Sequence, residues 1–309
     1  MIIKNIRIAT RQSRLALWQS EYVADTLRRA HPGVDIEIIP MSTRGDDVLD
    51  KSLAKIGGKG LFIKELETAM LEGKADVAVH SMKDVPWDMP EGMCIGAALQ
   101  RADAVDVLVA NGDEIYSLDT LPDGARVGTS SLRRQSQLMD LRPDLRILPI
   151  RGNVETRLRK LDEGDFEAIV LAAAGLKRLG LGERITARLE TTQCLPAVGQ
   201  GIIGIECRDD DEKIREALLA VEHTGTRRCL EAERGFAAGL NASCESPVAA
   251  HAEIREDELL LNGLVARPDG SEVLRGSMRG RLSDGPLLGK GLAADLKKKG
   301  AEKLLEPDQ

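Results

Sequence analysis

Residues 125–160 read ARVGTSSLRRQSQLMDLRPDLRILPIRGNVETRLRK and indicate the fold class more clearly than any other segment. Its first part predicts a strand at 126–128, a turn of three hydroxyl residues and a helix that begins at Leu132. The pattern then repeats, with a strand at 147–150 and a helix that begins at Val154. Successive strand-turn-helix units are typical of an α/β domain.

The same stretch is strongly basic. It contains nine Lys or Arg side chains and three Asp or Glu side chains, in a chain whose formal net charge is −7. A helix start presents unpaired backbone N–H groups and the positive end of the helix dipole, so arginines there favour a carboxylate or a phosphate. We expect the two strand ends to converge on one anionic ligand. For Arg142, Arg146 and Arg159, a solvated surface is the expected role.

The composition predicts aliphatic cores in more than one domain. The chain has 309 residues, 42% of them hydrophobic and only 2% aromatic, so base stacking on nucleic acid lacks its usual side chains. No apolar run is long enough to span a membrane and no signal-peptide pattern precedes the first strand, which favours a soluble enzyme of the cytoplasm or an organelle matrix. Five cysteines without Cys-x-x-Cys spacing indicate neither a disulfide framework nor a metal site.

Other basic residues also follow predicted strands or lie in long loops. Arg11 and Ser13 stand at the start of the first predicted helix, where they could bind an anion. The polar segment 43–60 has the length of a mobile loop near a ligand. Its Lys55 and Lys59 could reach an anion.

The segment after the strand at 75–79 offers the best candidate for catalysis. Asp84 is a carboxylate between Lys83 and an apolar Val-Pro pair, and it could remain ionised and face a developing cation. An equally good alternative is that Asp84 pairs with Lys83 or caps a turn. His80 is expected to be a packed, hydrogen-bonded core residue.

Two crossovers divide the chain into three predicted domains. An α/β domain comprises residues 1–99 and 200–221, a second α/β domain comprises 105–194, and an α+β domain comprises 222–309 and ends in a helix at 291–305. A chain that leaves a domain and returns to it is typical of two-lobed proteins with a ligand-binding cleft. Cys244 lies in an evident loop of the third domain and could be an attachment point, although most free cysteines are packing residues.

Six motifs occur in order along the chain, at residues 8–13, 57–62, 80–86, 128–134, 151–158 and 195–201. Together they resemble the porphobilinogen deaminase family. The resemblance implies two α/β domains like those of a periplasmic binding protein, with a central cleft between them, and a C-terminal α+β domain. A cysteine of this third domain would carry a covalent dipyrromethane cofactor.

The resemblance also implies a function in tetrapyrrole and heme biosynthesis. A transferase of this family condenses four porphobilinogen molecules head to tail, with loss of ammonia, and releases hydroxymethylbilane. Each pyrrole ring carries an acetate and a propionate, so a growing chain multiplies the carboxylates that arginines can bind. We expect a monomeric cytoplasmic enzyme that needs no metal, nucleic acid or membrane.

Site residues are implied by their positions in the matched motifs. Asp84 would be the catalytic carboxylate, because an ionised acid beside the pyrrole N–H groups stabilises cationic intermediates, and Cys244 would hold the cofactor through a thioether. The further residues expected to bind the cofactor are Ser13, Lys83, Thr129, Ser130, Ser131, Arg133, Arg134 and Arg151. The candidates for substrate binding are Arg11, Arg151, Arg157, Arg178, Lys55 and Lys59.

One departure from the family pattern and two alternative functions stay open at this point. The family usually has Glu-Gly-Gly before the cysteine, whereas this chain has Asn241, Ala242 and Ser243, which removes the backbone freedom that glycine gives. The same basic turns would also suit a non-catalytic two-lobed anion-binding protein. RNA binding through the arginine run is a weaker third hypothesis.

Overall fold

The computed structural model describes residues 3–43, 63–111, 117–243 and 245–306. The strands in this part of the chain are β1 (Asn5–Arg11), β2 (Asp35–Met41), β3 (Val77–Ser81), β4 (Met93–Ala98), β5 (Asp106–Ala110), β6 (Arg126–Gly128), β7 (Arg146–Leu148), β8 (Ala168–Ala172), β9 (Ala187–Leu189), β10 (Ile203–Arg208), β11 (Val248–Arg255), β12 (Glu258–Ala266) and β13 (Val273–Arg281). They form two five-stranded sheets and one three-stranded sheet.

Helices cover these sheets. In the same ranges they are α1 (Arg14–Ala30), α2 (Lys64–Leu71), α3 (Leu132–Leu141), α4 (Val154–Asp162), α5 (Ala173–Arg178), α6 (Glu212–Leu219), α7 (Thr224–Leu240), α8 (Gly285–Lys298) and α9 (Ala301–Leu305). None of the helices in the described ranges is both long and apolar enough to cross a membrane.

The chain forms two compact units. The first unit comprises Met1–Ala102 and Ile202–Arg227, and the second comprises Asp103–Gly201 and Arg228–Gln309. The second unit thus contains the second predicted domain and the third from Arg228 onward, whereas residues 222–227 belong to the first unit. The domain boundaries at 1–99, 200–221, 105–194 and 222–309 stay predictions.

The first unit is built on a sheet with the strand order β2-β1-β3-β10-β4. β1 is parallel to β2 and β3, whereas β10 is antiparallel to both β3 and β4. Alternation along β1 sends Ile6 and Ile8 to one face and Ala9 to the other, and each face has its own aliphatic core. Such two-sided burial explains why β3 is apolar without alternation.

The second unit repeats this arrangement in its first sheet. The order is β7-β6-β8-β5-β9, with β6 parallel to β7 and β8, and β5 antiparallel to β8 and β9. In β8, Ala168 and Val170 pack into the core on one face, and Ile169 and Leu171 pack into the core on the other. The predicted pairing of two neighbouring strand-turn-helix units is confirmed, because Gly128 and Leu148 are partners in β6 and β7.

The C-terminal domain consists of the antiparallel sheet β11-β12-β13 packed on helices α7 and α8. Phe236 is fully buried in its core. Glycines let the two helices approach closely: a Cβ on Gly289 would collide with the carbonyl oxygen of Ala232 and the amide nitrogen of Phe236, and a Cβ on Gly235 would lie 2.6 Å from the carbonyl oxygen of Pro286.

The predicted fold class, two α/β domains and a C-terminal α+β domain, is confirmed. Strands β4 and β9 and helix α5 were not predicted. The predicted helix at 291–305 is wrong in detail. The helical segment begins at Gly285, with Pro286 in its first turn, and ends before Gly300, whose φ of +101° separates α8 from α9.

The close contact between α7 and α8 yields a test on one helix. Gly289→Ala should lower the free energy of unfolding by about 1–3 kcal/mol, because the added methyl group meets backbone atoms that cannot rotate away. Gly291→Ala is the matched control, since its Cβ would meet only the flexible side chain of Met278, and alanine favours the helix by about 1 kcal/mol. Urea denaturation measures both variants, and equal midpoints would contradict the account.

Candidate active site

The first unit presents a carboxylate at the end of a buried strand. After β3 the chain turns through the short helix Met82–Asp84, in which Met82 is buried and Asp84 is exposed. The amide of Met82 donates a hydrogen bond of 3.0 Å to the carbonyl oxygen of Ile202. Because Met82 is anchored on both its backbone and its side chain, the position of Asp84 at the strand end is well defined.

A buried pair lies in the sheet just before this carboxylate. His80 Nε2 is 2.7 Å from Glu206 Oε2, across the β3–β10 pairing, and both side chains are buried. The prediction that His80 is a hydrogen-bonded core residue is confirmed. A buried pair of this kind specifies how β10 aligns with β3, because a shift by one residue would separate the two groups.

Helix α1 begins beside the end of β1. Ser13 is its N-cap, and Ser13 Oγ accepts a hydrogen bond of 3.3 Å from the amide of Ala16. Arg11 is the last residue of β1 and is half-buried, as is Lys83 in the turn after β3. β1 and β3 are parallel neighbours, so these side chains follow the same edge of the first sheet.

In the second unit, three hydroxyl side chains build the turn between β6 and α3. Thr129 Oγ1 accepts from the amide of Ser131 at 3.1 Å, and Ser131 Oγ caps α3 by accepting from the amide of Arg134 at 3.4 Å. Ser130 Oγ donates to the carbonyl oxygen of Ile150 at 2.8 Å and accepts from its amide at 3.1 Å. The hydroxyls therefore fasten the end of β6 to the segment that follows β7.

Arg133 and Arg134 contact an anion that the sequence analysis missed. Both guanidinium groups are buried and bind Asp106, the first residue of β5, which is fully buried. Arg133 Nη1 lies 2.7 Å from Asp106 Oδ2, and Arg134 Nη2 lies 2.7 Å from Asp106 Oδ1. Gln200 Nε2 donates a further bond of 3.0 Å to Oδ1. A lone Asp at the start of an apolar strand was the only signal for this cluster in the sequence.

Electrostatics keep this cluster charged. Burial by itself would raise the pKa of Asp106, but the positive charges of Arg133 and Arg134 outweigh burial and hold that pKa well below its ordinary value. Burial and the charge of Asp106 raise the pKa of the Cys194 thiol to about 12. Cys194 is therefore a neutral packing residue at physiological pH.

The remaining candidate arginines of the second unit are half-buried and follow other strand ends. Arg151 lies three residues after the end of β7, and Arg157 Nε donates to the carbonyl oxygen of Gly152 at 2.8 Å. Gly152 has a φ of +108°, and a Cβ there would collide with Thr156, so this tight turn requires glycine. Arg178 lies at the end of α5 and donates to the carbonyl oxygen of Gly201 at 2.8 Å.

Several predicted residues lie outside the described ranges, namely Cys244, Lys55, Lys59 and the motif at 57–62. The residues beside Cys244 are described. Asn241 takes a φ of +52° after α7, a conformation that Asn tolerates better than most residues. Ser246 Oγ accepts from the amide of Ser243 at 3.0 Å. Ala242 and Ser243, which stand where the family has glycine, do not have a positive φ, so the backbone at these two positions does not require glycine.

The fold and these turns define an α/β protein whose basic strand ends suit anionic ligands. Two family models match the chain: "Porphobilinogen deaminase, dipyromethane cofactor binding domain" at residues 6–216 and "Porphobilinogen deaminase, C-terminal domain" at residues 227–298. A curated porphobilinogen deaminase from Stenotrophomonas maltophilia is 54% identical over 304 residues, which cover 98% of this chain and 99% of that protein. The chain belongs to the porphobilinogen deaminase family. It is a transferase, a hydroxymethylbilane synthase, and its cofactor is dipyrromethane.

Solved structures of more distant proteins resemble this chain weakly. A TRAP periplasmic solute binding protein from Desulfovibrio salexigens is 14% identical, with a TM-score of 0.44 over 72% of this chain and 73% of that chain. An ancestral arginine-binding protein bound to arginine is 16% identical, with a TM-score of 0.39 over 72% of this chain and 92% of that chain.

The donor set of the second unit fits a cofactor that carries carboxylates. Hydroxyl and guanidinium groups follow the parallel strands β6 and β7, which end at the same edge of the sheet. Arginine and hydroxyl donors bind carboxylates through charge-assisted hydrogen bonds. Within the ranges that the structure describes, no group of three or more His, Cys, Asp or Glu side chains is arranged to hold a metal ion.

The contacts of Asp106 with Arg133 and Arg134 predict that two aspartates near the same strand contribute very differently to the free energy of unfolding. Asp106→Asn should lower the free energy of unfolding by about 3–5 kcal/mol, because it leaves two buried guanidinium groups without a counter-charge. Asp103 pairs with Lys177 and Arg188 at partly exposed positions, so Asp103→Asn should cost no more than about 1 kcal/mol. Urea denaturation followed by circular dichroism measures both, and similar losses for the two variants would refute the role assigned to Asp106.

Proposed function

We propose that the hydroxymethylbilane synthase activity of this chain uses Asp84 as its catalytic carboxylate and Cys244 as the thioether attachment of the cofactor. The match of both family models, with 54% identity to a curated porphobilinogen deaminase over 98% of the chain, is the observation that carries this proposal. The exposed position of Asp84 at the end of a rigid, buried strand supports the assignment.

The chemistry explains why a carboxylate is needed. When bound, the dipyrromethane cofactor supplies the pyrrole end to which the first porphobilinogen is joined. Each porphobilinogen loses ammonia and becomes electron-poor, with positive charge centred on its pyrrole nitrogen. An ionised Asp84 would accept a hydrogen bond from the pyrrole N–H and stabilise that charge. It would also give the proton released in each condensation a nearby acceptor. A partly cationic histidine in the same place would oppose the reaction.

The remaining candidates would bind the acetate and propionate groups of the rings. Arginine suits this role because its planar guanidinium forms paired hydrogen bonds with a carboxylate. The proposed cofactor-binding residues are Ser13, Lys83, Thr129, Ser130, Ser131, Arg133, Arg134 and Arg151. The proposed substrate-binding residues are Arg11, Arg151, Arg157, Arg178, Lys55 and Lys59.

Arg133 and Arg134 would fulfil this role through the surplus charge of their cluster. The bond of each guanidinium group to Asp106 fixes its orientation. One carboxylate neutralises only one of the two positive charges. The cluster therefore keeps a net positive charge close to the start of α3, where the helix dipole adds to it. A carboxylate of the cofactor would compensate this surplus.

The oligomeric state, the location and the partners of the enzyme are part of the same proposal. We expect a monomer in the cytoplasm that acts on porphobilinogen and has no nucleic-acid or membrane partner. The alternative of a non-catalytic anion-binding protein receives no support from the family match. The three-domain division at 1–99 with 200–221, 105–194 and 222–309 is likewise proposed.

Asp84→Asn tests the catalytic role. Turnover of porphobilinogen should fall by about 10²–10⁴-fold, because the amide has no charge with which to stabilise the cation, whereas intact-mass spectrometry should still detect the cofactor on the protein. Glu91→Gln is the control, since Glu91 is an exposed acid in the following turn and its loss should leave turnover unchanged. Near-normal turnover in Asp84→Asn would remove Asp84 from its role.

Cys244→Ser tests the attachment site. Intact-mass spectrometry of the purified wild-type chain should show one covalent dipyrrole, and the serine variant should carry none, even after incubation with porphobilinogen. Cys229→Ala provides the control, because Cys229 is buried in the core of the C-terminal domain and its removal leaves the attachment sulfur in place. Retention of the dipyrrole by the serine variant would show that another residue holds it.

A further inference from the structure

Two cysteines of the first unit form a pair that the proposed function does not use. Cys94 lies on β4, an edge strand of the sheet, and Cys207 lies on the neighbouring strand β10. The two residues are directly opposite each other in the antiparallel pairing, and their sulfur atoms are 3.7 Å apart. They are adjacent because of sheet register, although 113 positions separate them in the sequence.

One thiol of the pair is accessible and the other is not. Cys207 is fully buried, whereas Cys94 is half-buried and lines a cavity of about 420 Å³ beside Arg215 and Arg227. Gly96, two residues further on the same strand, also lines this cavity, and it packs closely against the buried thiol: a Cβ there would lie 2.8 Å from the sulfur of Cys207. A small reagent can therefore reach Cys94 first, with Cys207 directly behind it.

The surroundings also activate Cys94. The hydrogen bond with the Cys207 thiol and the positive charges of Arg215 and Arg227 lower the pKa of Cys94 to about 7, whereas the same hydrogen bond and burial raise the pKa of Cys207. A large fraction of Cys94 is therefore thiolate at neutral pH, and the thiolate is the nucleophilic form of cysteine.

We propose that Cys94 and Cys207 form a redox-sensitive pair, in which a peroxide oxidises Cys94 and Cys207 then closes a reversible disulfide. The Cys94 sulfur attacks one peroxide oxygen, the O–O bond breaks, and the products are a sulfenic acid and water. The Cys207 sulfur next attacks the Cys94 sulfur, and the hydroxyl group leaves as water with the proton of Cys207. Altogether two thiols lose two electrons, one hydrogen peroxide gains them, and two waters form.

Strand geometry permits this bond. Residues directly opposite each other in antiparallel strands have Cα atoms about 4.5–5.5 Å apart, and disulfides span Cα separations of about 4.4–6.8 Å. The two sulfurs must approach to about 2 Å, which rotation of the side chains can supply while β4 and β10 stay paired. The pair has the features of a redox sensor, namely an accessible thiolate next to a resolving cysteine.

Peptide mapping of the holoenzyme tests the proposal. The protein is treated with hydrogen peroxide, quenched with catalase, alkylated with N-ethylmaleimide and digested with trypsin. Residues 84–101 should appear linked to residues 189–208, with fragment ions that locate the bond at Cys207 rather than at Cys194, and dithiothreitol should abolish the link. Cys229→Ala is the matched control and should leave the link intact.

A second variant separates the two roles. In Cys207→Ala the resolving thiol is gone, so Cys94 should accumulate as a sulfenic acid that dimedone labels. In the untreated holoenzyme, the rate at which iodoacetamide alkylates Cys94 should reach half of its maximum near pH 7. This measurement requires no variant. A wild-type protein in which peroxide leaves Cys94 open to alkylation, or links residues 84–101 through Cys194, would overturn the proposal.

Discussion

A single buried carboxylate organises the second unit. Asp106 is fully buried at the start of β5, and it draws together the first turn of α3, through Arg133 and Arg134, and the segment that ends at Gln200. Arg133 extends the connection by donating to the carbonyl oxygen of Leu195 at 2.7 Å. Buried charges are tolerable only when they compensate one another at close range, so the start of β5 and the first turn of α3 must lie next to each other. This constraint fixes the position of the basic turn at the start of α3.

In the first unit, a buried pair of polar side chains has a similar role. His80 and Glu206 are buried across the β3–β10 pairing, and the exposed Asp84 follows only a few residues later. In each unit, then, buried polar groups hold neighbouring elements together: two strands through His80 and Glu206, and β5 and α3 through Asp106 and its arginines. Candidate site residues lie close to these groups in the sequence. A site supported by rigid strands holds its reacting groups more accurately than a site on loops. The need for an accurately positioned site explains why buried polar groups, which are costly to remove from water, lie close to the candidate site residues.

Local sequence patterns predicted much of this structure, but not its long-range pairings. The strand-turn-helix units at Gly128 and Arg151 could be predicted because hydroxyl caps, glycines and apolar periodicity are local signals. Strand β4 was missed since its small and apolar residues show no alternation, which is the expected appearance of a strand packed on both faces. The partnership of Asp106 with two arginines could not be predicted at all. The two arginines lie 27 and 28 positions after Asp106 in the sequence, and only the folded second unit brings them together.

The strand order also determines when each sheet can be completed during synthesis. β10 lies between β3 and β4 in the first sheet, yet it is translated after every strand of the five-stranded sheet in the second unit. A ribosome therefore releases all the strands of the later sheet while the earlier sheet still lacks an interior member. Until residues 203–208 emerge, β3 and β4 have unpaired edges that must be kept from other nascent chains. Of the two five-stranded sheets, the sheet of the first unit is thus completed later, although synthesis of its strands begins earlier.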